Sequence, residues 1–247
     1  MLRQRLAIAM TDSWRWWADG PSAAGCGARR IRASFLAAAF AGAAPLLTAA
    51  AAHAGETHEF WPELQFHKWF NDRQLRAIFM MSHSRDRDSN STYQAEVGLT
   101  FEHHFTNWFW GRIGYRHANS TDGGPFQENR LLAEQIFRMP LGFGFSADFR
   151  TREDFRWLND GFFVRIRERI QVQRDVTIGN YLFTPYASAE VYFDTKYNQM
   201  ARYRLIVGVT LPIYEHFYVE PYLARQVDNA GSFTITNAIG FTVIVAF

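Results

Sequence analysis

The chain ends on "FTITNAIGFTVIVAF", in which Phe233, Ile235, Ile239, Phe241, Val243, Val245 and Phe247 fall on one parity. Alternation with period two puts successive side chains on opposite faces of a β-strand. Here it runs to the final aromatic residue with no polar tail behind it. The same period recurs through everything after Gly55, and no helical period interrupts it. It predicts strands near 58–70, 74–84, 92–105, 108–118, 127–138, 142–152, 161–173, 181–193, 199–211, 216–227 and 233–247. Segments of this length and regularity predict an all-β fold, and with the loops, aromatics and charges described below the expectation is an antiparallel transmembrane up-and-down β-barrel. Bacterial single-chain barrels usually have an even number of strands. The expected count is therefore 10 or 12, with one strand missed or one segment incomplete.

The connections alternate in character. "ND", "TN", "MPLG", "RDVTIGN" and "PIYE" are mostly short, while "RDRDSNS", "STDGGPF", "EDFRWLND", "DTKYNQ" and "DNAGS" are mostly longer and more polar. Short turns at one end and longer loops at the other suit a barrel in the bacterial outer membrane. Aromatic residues gather at strand ends. Trp69, Phe70, Phe105, Trp108, Phe109, Trp110, Phe137 and Phe217 mark the short-turn end, and Tyr93, Tyr115, Phe126, Tyr192, Phe193 and Tyr203 the other. That pattern predicts two girdles.

A soluble barrel with an apolar core, of the kind that binds ligands in the periplasm, also alternates; the side carrying the charges separates the two. In "VRIRERIQV", Val164, Ile166, Glu168, Ile170 and Val172 oppose Arg165, Arg167, Arg169 and Gln171. An Arg on the mid-bilayer lipid face costs about 2–4 kcal/mol and an acid less, so the Arg side is expected to face the lumen and Glu168 the lipid. The same parity turns inward Arg112, Arg116, Arg130, Arg150, Arg202 and Arg204, with Glu96, Glu102, Glu134, Asp148, Glu190 and Glu220, and Tyr186, Tyr192 and Tyr222.

Residues 1–54 are a different material. "ARRIRAS", an Ala-rich apolar run and "AHA" at Ala52–Ala54 read as an export signal with an extended basic region, cleaved between Ala54 and Gly55. An uncleaved anchor is the rival, since about 20 apolar residues suffice to span a membrane. Cys26, the single cysteine, lies in this leader, so the domain from residue 55 to 247 carries no thiol. With six Arg and two Asp removed from 26 basic and 24 acidic residues, that domain has 20 and 22, a net −2 without a basic stripe, and nucleic acid is not an implied partner. Only Lys68 and Lys196 are lysines; the Arg bias suits bidentate carboxylate pairing and equally suits a GC-rich genome.

"FWPELQF", "ENRLLAEQ", "VRIRERIQ", "TPYASAEVYFD", "ARYRLIVGV" and "FYVEPYLARQ" together resemble the outer-membrane family called domain of unknown function 2490, across nearly all of residues 58–247. The resemblance implies an outer-membrane barrel and supplies no activity. Such a barrel has outer-membrane lipid and lipopolysaccharide as its surroundings. Its last strand, with Phe241, Val243, Val245 and Phe247, is the signal read by the barrel assembly machinery.

Chemistry is sparse. His83 beside Ser84 cannot form a dyad within one strand, because neighbours diverge, and adjacent His103 and His104 diverge likewise. "DRDSN" mimics the opening of a calcium loop, but Ser91 and Val97 stand where Gly and Glu are needed. No catalytic set, metal site or cofactor is assigned, and the chain is read as a non-enzyme, an outer-membrane lipid-modifying enzyme being the alternative. The informative constellation is the lumen charge network, Arg165, Arg167, Arg169, Arg202, Arg204, Tyr186, Glu190 and Glu220. It is either a salt-bridged structural core or a narrow polar conduit with room for a small anionic ligand.

Overall fold

The computed structural model describes residues 55–71, 73–85, 93–230 and 233–247. The leader with its Ala54 cleavage position and the "DRDSN" loop lie outside the described residues. The strands are β1 (Gly55–Phe70), β2 (Leu75–Arg85), β3 (Tyr93–His104), β4 (Phe109–Ser120), β5 (Gln127–Gly142), β6 (Phe145–Leu158) and β7 (Gly161–Arg174). They continue with the short β8 (Val176–Ile178), then β9 (Tyr181–Asp194), β10 (Gln199–Tyr214), β11 (Phe217–Asp228) and β12 (Thr234–Ala246). Each long strand pairs with its neighbour in sequence, β7 with β9 across β8, and β12 returns to β1, so the sheet closes.

The count corrects the expectation of 10 or 12: eleven long strands close the barrel among the described residues. An odd number of alternating strands leaves one pair pointing the same way, and that pair is β1–β12. Phe247 donates its backbone N–H to the carbonyl of His67 and accepts from the N–H of Trp69, which sets Phe247 opposite Lys68 with both strands running toward the same rim. The short β8 continues β7 in the same register past Asp175, pairing Val176 with Phe183 and Ile178 with Tyr181. "RDVTIGN" is therefore the tip of a projecting hairpin rather than a plain turn.

Two other expected connections are strand. All of "EDFRWLND" but its last two residues is the end of β6, paired with β7 as far as Leu158 opposite Gly161, and "MPLG" is the end of β5. The first reads as loop because its charged residues are polar lumen side chains: Asp154 and Arg156 are fully buried while Trp157 is exposed. The contrast between short turns and long loops is softer than predicted, since β6 and β7 are joined by Asn159–Asp160 alone.

Cross-strand partners measure the stagger. From Glu63 they run through Ser82, Glu96, Ala118, Glu128 and Leu158 to Gly161. From Trp61, two residues earlier and opposite Gly240 by the β1–β12 register, they run the other way through Tyr222, Gly208 and Tyr186 to Gln173. The two paths meet on β7 fourteen residues out of step. With a rise of about 3.3 Å per residue and about 4.8 Å between strands, that stagger tilts the strands by about 40° and gives a backbone cylinder of about 11 Å radius.

The faces follow the alternation, with corrections among the aromatics. Trp69, Trp110, Phe126 and Tyr192, assigned to the girdles by their place at strand ends, share the parity of the lumen residues instead. Arg76 lies 4.7 Å over the Trp69 ring and Arg138 4.4 Å over Trp110, and Tyr192 is 1% exposed. Strand-end position locates a residue along the barrel axis; parity decides its face, and here parity wins. Glu168 remains on the outer face, where Thr151, its direct partner on β6, donates its hydroxyl at 2.9 Å.

Candidate functional site

The lumen is the candidate site, because most of the ion pairs among the described residues converge there. β6 contributes most of it: Asp148, Arg150, Arg152, Asp154 and Arg156 all face inward from alternate positions. Toward the short-turn rim, Glu102 takes Arg76 at 2.7 Å and Arg112 on its other oxygen, and Arg112 reaches on to Glu134 at 3.0 Å. Toward the other rim a continuous chain runs from Glu96 to Arg130 (3.3 Å), Glu128 (2.7 Å), Arg156 (2.8 Å), Asp194 (2.8 Å) and Arg165 (2.9 Å). Arg156 and Asp194 are 0% exposed. A buried ion pair breaks even against desolvation only when each charge is fully engaged, and this chain meets that condition by sharing each carboxylate between two guanidinium groups.

Glu190 is the hub between the two groups. Arg150 bonds one of its oxygens, Arg167 bonds both at 3.1 Å, and the Tyr192 hydroxyl donates at 2.6 Å. The sequence places Arg169 and Arg204 beside Glu190, and the register does so too, one on each side. Neither takes it. Arg204 donates to Gln226 at 2.9 Å and lies over the Trp61 and Tyr192 rings. Arg169 has no carboxylate within ion-pair distance among the described residues, and its Nε is buried without a partner. Arg165 pairs with Asp194 and Arg202 with Asp228. Among the described residues, Glu220 accepts only from the Thr210 hydroxyl at 2.7 Å.

Tyr186 and Tyr222 lie flat across neighbouring strands. A Cβ on Gly240 would stand 1.8 Å from the Tyr222 ring, and one on Gly208 2.7 Å from that of Tyr186. Glycine at both positions is what lets the rings lie against the wall and leaves a cavity of about 540 Å³ in the middle of the lumen. Parity reasoning passed over Glu63, Arg76, Glu128, Arg152, Asp154, Arg156, Asp194 and Asp228. The signal for the β6 group was present in "FRTREDFRW", whose even-numbered positions are charged and whose Phe149, Phe155 and Trp157 stand opposite.

The remaining sequence candidates lie on the wall or the rim. Phe241, Val243 and Val245 alternate outward along β12, Phe247 joins β1, and Gly55 opens β1. His83 faces outward, stacked on Tyr93 at 5.6 Å, while Ser84 lines the cavity. His104 turns in to Glu102 at 2.8 Å and His103 packs on Phe105.

No curated protein matches the chain. Among solved structures, it is similar to one described as a bacterial polysaccharide outer membrane secretin, with 10% identity and a TM-score of 0.47 over 70% of this chain; the match spans 63% of the other chain, less than two thirds of its length. It is also similar to LpxR from Salmonella typhimurium, with 9% identity, a TM-score of 0.48, and 72% and 84% of the two chains covered. The period-two strands, the closed sheet and the inward charges coincide with a match to one sequence family over residues 58–236, and the chain therefore belongs to the family described as Protein of unknown function (DUF2490).

Proposed function

We propose that this chain is an outer-membrane β-barrel whose lumen is a salt-bridged core rather than an open pore. The observation that carries the reading is the inversion of polarity between its faces. Ile113, Val207, Leu223 and Ile239 are each more than half exposed on four different strands, while Arg156, Asp154 and Asp194 are sealed inside. In water such a belt would forfeit about 25 cal/mol for each Å² of apolar surface left wet; in lipid it costs nothing. Exposed Phe105, Trp108 and Tyr214 at one rim and Tyr93, Tyr115 and Phe162 at the other fit the interfacial girdles of a membrane barrel.

Membrane fractionation with heat-modifiable gel migration tests it. The protein is expected in the outer-membrane fraction, resistant to carbonate extraction, and migrating faster unboiled than boiled. Recovery from the periplasm without detergent would sink the reading in favour of a soluble barrel. In planar bilayers the intact barrel is expected to show little conductance.

A further inference from the structure

We infer that the middle of the lumen binds a small zwitterion, its anionic group on Arg169 and its cationic group on Glu63 and Glu220. The site rests on the reading of a folded barrel with an ion-paired lumen, and it is the place where that pairing fails. Nearly every lumen cation shares a carboxylate. Among the described residues two do not: Arg204 donates to the Gln226 side-chain oxygen and lies over two rings instead, and Arg169 is left over because Glu190, its direct partner on β9, is saturated by Arg150, Arg167 and Tyr192. Arg169 also faces Arg150 across the β6–β7 ladder, so two guanidinium groups stand side by side.

Two carboxylates are left over as well. Glu63 accepts only from the Gln65 amide, and Glu220 only from the Thr210 hydroxyl; neither meets a cation within ion-pair distance among the described residues. They are close in the sheet. Glu220 is level with Thr242 on β12, and Thr242 is level with Glu63 across the parallel pair. The lumen therefore keeps an unmatched positive charge on one wall and two unmatched negative charges on another.

Barrel geometry puts the two walls at one height. β1 and β7 are five strands apart one way round and six the other, which makes them opposite. The ladder from Glu63 to Gly161 climbs about 3 Å per strand at a tilt of about 40°, about 19 Å in all, equal to the axial rise of about eight residues of strand. Eight residues along β7 from Gly161 is Arg169. Tyr186 and Tyr222 line the cavity between the walls, and neither hydroxyl has a hydrogen-bond partner among the described residues. An isolated anion would satisfy Arg169 and be repelled by the acids, and an isolated cation the reverse. A molecule carrying both charges satisfies both walls, and 540 Å³ accommodates one of dipeptide size.

The test is calorimetric titration of the detergent-folded full chain with glycylglycine, sodium sulfate and choline chloride. Glycylglycine is expected to bind at least about tenfold more tightly than either single-charge probe, and to lose at least about tenfold in affinity in Arg169→Gln and in the Glu63→Gln/Glu220→Gln double variant. Arg169→Gln should fold at least as well as the parent, because it removes a lumen charge that has no carboxylate partner among the described residues and whose Nε is buried without a hydrogen bond. Sulfate binding as tightly as the dipeptide, and indifferent to the two acids, overturns the proposal in favour of an anion site. Absence of dipeptide binding to protein that still shows heat-modifiable migration overturns it outright. Protein recovered soluble without detergent sinks the membrane reading and leaves the binding result standing on its own.

Discussion

Glu190 joins Arg150, Arg167 and Tyr192, and removing its charge leaves the two guanidinium groups only longer contacts, to Glu134 at 3.7 Å and to Asp154 at 3.8 Å. Breaking a buried pair in this way costs about 3–5 kcal/mol. Glu190→Gln should lower the urea midpoint of the barrel in micelles correspondingly, without a rise in bilayer conductance; a variant that stays stable and conducts would show the network to be a gate. That Glu190 faces inward beside Arg169 and Arg204 was legible in the sequence, because parity and neighbouring strands determine it. Which guanidinium wins it was not, because Arg150 reaches it from two strands away and only the closed register reveals that reach. Phe143 carries a different tension. It is 91% exposed at the β5–β6 turn with a φ of +53°, and Gly144 follows at +78°. Two successive positive φ angles define a turn that favours Asn-Gly. Phe143→Asn should therefore raise the unfolding midpoint by about 1 kcal/mol of stability.

At the scale of the strand, the residue that follows β12 helps close the barrel: Phe247 makes backbone bonds with both His67 and Trp69 on β1. Deleting Phe247, or adding a charged tail behind it, should deplete heat-modifiable barrel from the outer membrane, as immunoblots of fractionated cells would show. Normal levels in the deletion strain would count against that role for the strand end. The turn linking β6 to β7 is tied to the one linking β9 to β10 by Lys196, which donates to Asp160 at 2.6 Å. That hydrogen bond holds the Asp160 carboxyl below its ordinary value. A depressed carboxyl contributes stability above the unfolded value of about 3.9 and loses it as pH falls through the lower folded one. Carbon-detected NMR titration should find Asp160 below ordinary aspartates, and Lys196→Gln should move it up. Strand positions were legible because period two survives almost everywhere. The end of β6 escaped because charge density there imitates a loop, and the inward aromatics escaped because end position imitates a girdle.

The barrel formed by the described residues is a cylinder lined largely by shared carboxylates, closed by one pair of strands that runs the same way. No local signal encodes that pair. Eleven segments are legible along the chain, and the preference of such barrels for even numbers is what set that count aside; the parallel pairing of the last strand with the first is visible only in the closed sheet. The parallel closure has a topographic consequence. In an ordinary even-stranded barrel the chain enters and leaves on the same side of the bilayer; here β1 begins at the rim opposite the one where β12 ends. With the short-turn rim toward the periplasm, an epitope placed directly before Gly55 should be stained by antibody on intact cells, while one appended after Phe247, if tolerated, should be stained only after permeabilisation. Staining of both from one side would mean that the first strand is antiparallel to the last. Opposite staining would make this barrel a two-sided scaffold, with the start of its first strand addressable from outside the cell and the end of its last strand from within the envelope.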